Sequence, residues 1–353
     1  MTNDKLVVGR LTDLEIRHGG NWNRREFVKR LSALGGAAAL MGLDPRSAAA
    51  DPPPEITKLR LVAIPAICFA PQYVAEPLLR AEGFTDIEYK KYSETTVVND
   101  VITGKADINM EAIGPLAVHI DAGRPIVALA GVHMGCYQLF GNERVRTIRD
   151  LKGKTVPVDA LGGAQHVFVS GMAAYVGLSP RTDINWVIHP STEAMHLFEQ
   201  GKVDAFLGFP PEPQELLAKK IGHLVMNTAT DRPWSHYYCC MLVANPEFVR
   251  KYPVATKRAM RAILKAADLC ADQPERAARM IVDKKYTARY DYALSALREV
   301  PYRAWRTHDP DDSLRFTALR LHEVGMIKSS PEKIITHGTD WRFLNELKEE
   351  LKA

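Results

Sequence analysis

The sequence has 353 residues, with 46 Lys and Arg against 42 Asp and Glu. The first fifty residues hold eight of the bases and five of the acids, which leaves 38 against 37 in the rest; a nucleic-acid-binding surface needs a basic surplus on the folded part, so that class is excluded. About 300 residues are enough for one large domain or two ordinary ones with proper cores, and five cysteines are too few for a disulfide framework.

Asn23-Arg24-Arg25-Glu26-Phe27-Val28-Lys29 precedes a mild apolar run, Leu31 to Leu43, and small residues ending in Ala48-Ala49-Ala50. This order of charged, apolar and small-residue segments is that of an export signal, and the paired Arg24 and Arg25 mark the twin-arginine route. The apolar run falls short of the roughly 20 residues a membrane span needs. Residues 1–50 are therefore expected to be a signal peptide cleaved after Ala50, and the mature protein to be soluble, periplasmic and exported already folded.

Asp51-Pro52-Pro53-Pro54 reads as an extended lead-in. Beyond it, short apolar runs alternate with helical stretches. Strands are expected at 59–64, 87–92, 108–110 and 126–131, with helices at 71–81, 96–103 and 115–122 between them. The pattern restarts with strands at 155–158, 185–188 and 205–208 and helices at 164–176 and 192–200. Such alternation argues for α/β sheets with parallel strands. After Pro246 the chain reads as almost wholly helical, with long stretches at 254–271 and 274–284. An internal repeat supports two equivalent units: Thr85-Asp86-Ile87 recurs as Thr182-Asp183-Ile184, and Gly104-Lys105-Ala106-Asp107 as Gly201-Lys202-Val203-Asp204, both at an offset of 97.

Four segments carry a resemblance to a family: 101–108, ending Gly104-Lys105-Ala106-Asp107-Ile108; Asp121-Ala122-Gly123-Arg124-Pro125-Ile126-Val127; Asp150-Leu151-Lys152-Gly153-Lys154-Thr155-Val156; and Gly201-Lys202-Val203-Asp204-Ala205. In this order and spacing they resemble the periplasmic solute-binding proteins of ABC importers, in the nitrate, sulfonate and taurine group that includes the thiamine-pyrimidine-like (NMT1-like) proteins. The likeness runs from about Leu59 to Asp283. It implies an α/β, two-lobed periplasmic-binding-protein fold of type II, with two mixed sheets flanked by helices and a helical C-terminal tail. Lobe 1 would comprise 51–138 and 242–353, and lobe 2 139–241. The crossings are expected near 138–142 and 237–241, with the tail packed largely on lobe 1. The resemblance further implies a monomer that captures a small organic solute and docks on an inner-membrane permease with its ATPase, without enzymatic activity, cofactor or metal.

Ligands of open α/β sheets bind beyond the carboxyl ends of the strands. That rule nominates Cys68, Phe69 and Tyr73 after the first strand, Glu94 after the second, Glu111, Ala112 and Gly114 after the third and His133 after the fourth. In the second unit it nominates Gly162, Gly163, Ala164, Gln165 and His166, then Phe209, Pro211 and Glu212. Gly162-Gly163 ahead of a helix is the anion candidate. Glu94, Glu111, Asp159 and Glu212 nearby would repel an anion unless an amine or a metal offsets them. A thiamine pyrimidine precursor or a flavin is therefore the alternative ligand class to sulfonate or nitrate.

No Gly-x-Ser-x-Gly elbow, Gly-x-x-x-x-Gly-Lys-Ser/Thr loop or His-Glu-x-x-His appears. A redox or cofactor-bearing enzyme exported by the same route on the same fold is the alternative function, and a pyrimidine synthase of the eukaryotic type, whose cysteine-rich motif is absent, a further one. Cys68, Cys136, Cys239, Cys240 and Cys270 show no metal-type spacing and read as buried small hydrophobes. Cys239 and Cys240 would face opposite ways on a strand.

Overall fold

The computed structural model describes residues 51–91 and 97–352; Arg24, Arg25, Ala50 and Glu94 lie outside them. Among the described residues ten strands alternate with helices: β1 (Lys58–Ala63), β2 (Asp86–Lys91), β3 (Ile108–Ala112), β4 (Val127–Met134), β5 (Gln138–Gly141), β6 (Lys154–Val158), β7 (Ile184–Ile188), β8 (Ala205–Gly208), β9 (His223–Asn227) and β10 (Tyr238–Ala244). In the first half β1 pairs in parallel with β2, and β10 lies antiparallel between β3 and β4. In the second, β6 pairs in parallel with β7, and β5 lies antiparallel between β8 and β9. β4 and β10 are buried along their whole length, which is why they read as continuous apolar runs and not as alternating ones.

The repeated aspartates explain the repeat. Asp107 joins β3 to β1: its N–H donates to Arg60 O (2.8 Å), and Arg60 N donates to its Oδ2 (2.7 Å). Asp204 joins β8 to β6 in the same way, donating to Thr155 O (2.9 Å) and accepting from Thr155 N at Oδ2 (3.0 Å). Each carboxylate also meets an arginine, Arg60 in one half and Arg144 in the other. The two strand orders are therefore equivalent, 2-1-3-10-4 and 7-6-8-5-9.

The helix expected over 71–81 is two short ones, Ala70–Val74 and Glu76–Ala81. Pro77 lacks the N–H that would bond back to Tyr73, and its ring crowds the preceding turn, so the first helix stops before it. The strand β9 and the helix Glu212–Lys219 were not expected.

The chain passes from the first sheet group to the second at 135–137 and returns between Asn227 and Tyr238, ahead of the expected first position and opening ahead of the second. The two crossings are bonded to each other: Thr228 N donates to Tyr137 O (2.9 Å) and Tyr137 N to Thr228 Oγ1 (2.9 Å). A Cβ at Gly135 would lie 2.0 Å from the Thr228 carbonyl oxygen, so only glycine permits this approach.

The helical tail packs largely on the first half, as expected, and also reaches the second. Its helix Pro310–Glu323 lies against Ala164–Tyr175 of the second half as well as Ile113–Asp121 of the first. Phe316 stacks on Tyr237 at 3.9 Å, and Glu299 accepts from Gln138 (2.9 Å) and Asn227. The tail thus straps the back of the crossings and leaves the opposite side as the open face. No helix among the described residues is long and apolar enough to cross a membrane.

Candidate functional site

A cleft of about 360 Å³ lies between the halves, within the range of small-molecule sites. The first half supplies the loop after β1, with Pro65, Cys68 and Phe69, and the end of β3, with Glu111 and Ala112. The second supplies Asp159, Ala164 and Gln165 after β6, Ser191 at the start of the next helix, and Phe209, Pro211 and Glu212 after β8. The crossings form its floor with Cys136, Tyr137 and Cys240. The halves touch at its edge, where Ile67 N donates to Pro210 O (3.0 Å).

The charge of the lining is one-sided. Glu111, Asp159, Glu212 and Glu215 face the cleft, and among the described residues no Lys or Arg does. Glu111 is buried, and among the described residues its carboxylate accepts only from the neighbouring Ala112 N (3.0 Å). Burial pushes its pKa up to about 8, with that hydrogen bond a partial offset. Glu212 is half-buried at a helix start, accepting from Ser191 Oγ (2.5 Å) and Phe209 N (3.2 Å). Burial raises it to about 7 against these two donors. At neutral pH in the ligand-free cleft Glu111 is largely protonated and Glu212 about half so, and either can ionise to meet a cation or an N–H donor. Aromatic faces complete the walls: Tyr137 lies 4.5 Å from Phe168 and 5.9 Å, edge-on, from Phe209.

Of the residues nominated from sequence, Cys68, Phe69, Glu111, Ala112, Ala164, Gln165, Phe209, Pro211 and Glu212 converge on this cleft. Others do not. Tyr73 is core: its ring stacks on Tyr286 at 3.8 Å and its hydroxyl accepts from Ile64 N (2.7 Å). Gly114 faces the other way, where a Cβ would lie 2.5 Å from Val167 Cγ1. His133 is fully buried behind the cleft floor. Gly162, Gly163 and His166 lie outside the lining, and their turn bonds to itself. Gly162 N donates to His166 Nδ1 (3.0 Å) and Gly163 N to Ala160 O (3.1 Å), while a Cβ on Gly163 would meet Asp159 Oδ1 at 2.6 Å. The N–H groups counted toward an anion are thus occupied, beside a carboxylate. Missed from sequence were Ser191, Thr192 and Met195, which open a helix after β7, and Tyr137; the strand-end rule, applied to β7, would have found the first three.

Two halves with the strand order found here, joined by two crossings around a cleft, define a periplasmic-binding-protein fold of type II. The model of the NMT1/THI5-like family matches residues 69–277, more than half of the chain, and the protein belongs to that family. Among curated relatives, the 4-amino-5-hydroxymethyl-2-methylpyrimidine phosphate synthase THI13 of Saccharomyces cerevisiae is 25% identical over 248 residues, covering 63% of this chain and 71% of that protein. Among solved structures, the periplasmic nitrate-binding protein NrtA of Synechocystis PCC 6803 superposes with a TM-score of 0.71 at 16% identity, covering 85% of this chain and 90% of that one. The periplasmic aliphatic sulphonate binding protein SsuA of Escherichia coli does so with a TM-score of 0.58 at 18% identity, over 70% and 85%. At these identities the structural likeness concerns the fold.

Proposed function

We propose that this protein is the periplasmic solute-binding component of an ABC import system, taking a small nitrogen-rich organic solute of the aminopyrimidine kind rather than a sulfonate or nitrate. The observation that carries the ligand class is the cleft lining: four carboxyl groups, two of them with raised pKa values, and no Lys or Arg among the described residues. An anion would have to be desolvated against carboxylates with no cation to receive it. An amine or an amidine-like ring edge lets Glu111 or Glu212 ionise into a charge-assisted pair, with Phe69, Tyr137 and Phe209 covering the ring faces. The lobe built on β1–β4 and β10 and the lobe built on β5–β9 close over the solute, and the loaded monomer docks on an inner-membrane permease with its ATPase. The twin-arginine signal at Arg24 and Arg25 delivers it there.

The competing reading is an enzyme, as in the yeast synthases. It is disfavoured by the same lining, because a phosphate-bearing product is best held by a cationic cradle and the cleft presents no Lys or Arg among its described residues. The two readings separate in one experiment: purified mature protein is mixed with aminopyrimidines, flavins, taurine, alkanesulfonates and nitrate, and both melting temperature and product formation are followed. A thermal shift with an aminopyrimidine and unchanged ligand is expected; a tight ligand at a thousand times its Kd stabilises by about 4 kcal/mol. Turnover would sink the binding-protein reading, and a shift with sulfonates alone would sink the ligand class.

A further inference from the structure

At and just behind the cleft floor, where the two crossings meet, a set of buried side chains carries no part of the solute chemistry described above; Cys136 and Cys240 belong to the floor, and His133 and Cys239 lie behind it. His133 lies near the end of β4, Cys136 lies in the first crossing, and Cys239 and Cys240 open β10 after the second. One ligand-capable atom from each of the four lies within 4.8 Å of all the others, and all four residues are buried. The Sγ atoms of Cys136 and Cys239 are 3.2 Å apart, and those of Cys239 and Cys240 3.9 Å. A tetrahedral site with metal–sulfur bonds of about 2.3 Å has sulfur–sulfur edges of roughly 3.8 Å, so the observed spacings bracket that value.

Two details point the same way. His133 Nδ1 lies 2.8 Å from the Met134 carbonyl oxygen, an acceptor only, so that nitrogen carries the proton and Nε2 bears the lone pair. Nε2 is buried and has no hydrogen-bond partner. An imidazole held through one nitrogen with the other unmet is the usual form of a metal-binding histidine. Cys239 and Cys240, adjacent on a strand, ought to face opposite ways. β10 slips its register against β4 at Tyr238/Cys240 and again at Cys240/Met241, and a bulge of this kind re-aims side chains. Both thiols are thereby turned into one cluster.

We propose that His133 Nε2 and the thiolates of Cys136, Cys239 and Cys240 bind one soft metal ion, with Zn(II) as the type. Three thiolates and one imidazole with no carboxylate in the set select Zn(II) or Cu(I) over Mg(II) or Ca(II). Binding satisfies the stranded imidazole nitrogen and gives the buried sulfurs a counter-charge. Cys68, another buried thiol, stands beside the set as a further sulfur. The ion ties the first crossing to the second, fixing the pivot about which the lobes close. A metal loaded before export also suits the twin-arginine route proposed above, which carries folded chains. The site is independent of the identity of the solute.

The test uses the full mature chain, purified under reducing conditions, loaded with Zn(II) and freed of excess metal. We expect one metal per chain. With Co(II) in its place, we expect sulfur-to-metal charge-transfer bands and the intense visible bands of a tetrahedral thiolate site. X-ray absorption on the wild-type protein should give a shell of three sulfurs and one nitrogen, a readout that needs no variant to fold. Cys239→Ser and His133→Ala should each weaken the metal at least tenfold. Cys270→Ser, which alters a buried thiol in the helix Pro253–Asp272 outside the set, should leave it unchanged. Folded wild-type protein that takes up no stoichiometric metal, a metal shell without sulfur, or a Cys136–Cys239 disulfide in place of the metal would overturn the proposal.

Discussion

Asp107 in the first half and Asp204 in the second do the same work, each tying a strand to its neighbour through its own N–H and carboxylate. Glu111 and Glu212, a few residues further along each copy, do not match. Glu111 stands one residue from the end of β3, buried, with one backbone donor among the described residues. Glu212 starts a helix and is held by a serine hydroxyl and a backbone N–H. The repeat is therefore conserved between the halves where the scaffold needs it and broken where the cleft begins. The same fold can change ligand by altering strand ends without touching the aspartate bridges.

The largest effects should come from the shared part. Asp107→Ala leaves Arg60 N and the Arg60 guanidinium without their partner, and Asp204→Ala does so for Thr155 N and Arg144. Each should cost about 3 kcal/mol or more in denaturant unfolding. Asp107 should cost more, because its side chain is 4% exposed and that of Arg60 31%, against 11% and 64% for Asp204 and Arg144. A near-neutral result at either position would break the equivalence of the halves.

The next effects concern the unshared part. Glu111 and Glu212 keep their protons in the folded state at pH values where the unfolded chain has lost them, so the folded protein binds more protons and stability falls as pH rises. For Glu111 the fall runs from the ordinary carboxyl range up to about pH 8, and for Glu212 to about pH 7. Glu111→Gln should flatten that slope and stabilise the ligand-free protein at pH 8 by on the order of 3 kcal/mol. Glu212→Gln should do less, because the group is half-buried and its shift smaller. Melting temperatures from pH 5 to 9 check both. Smallest of all, Ser191→Ala removes one hydrogen bond to Glu212 and should change stability by about 1 kcal/mol or less, while moving the Glu212 titration upward; an unmoved titration would mean that the serine does not hold the acid.

Much of this was legible before any coordinates. The repeat at an offset of 97 marked the two halves because each Asp has to sit at one register to reach its neighbouring strand. Glu111, Phe209 and Glu212 followed from the rule that ligands lie beyond strand ends. What failed was local geometry that spacing does not encode. Gly162 and Gly163 looked like an open anion turn, but His166 and Ala160 take their N–H groups. Cys136 and Cys239 lie 103 residues apart and meet only because the two crossings pair, while the alternation rule set Cys239 and Cys240 on opposite faces and a bulge overrode it. The tail lies largely on the first half, as expected, and Phe316 and Glu299 also carry it to the crossings.

The most direct test of the central claim is calorimetric titration of the mature protein with a cationic aminopyrimidine and, separately, with an alkanesulfonate, in two buffers of different ionisation enthalpy between pH 6 and 8. The account predicts that the aminopyrimidine binds, that its binding releases protons as Glu111 or Glu212 ionises, and that the release disappears in the Glu111→Gln, Glu212→Gln double variant. Binding of the sulfonate in preference, with proton uptake or none, would contradict it.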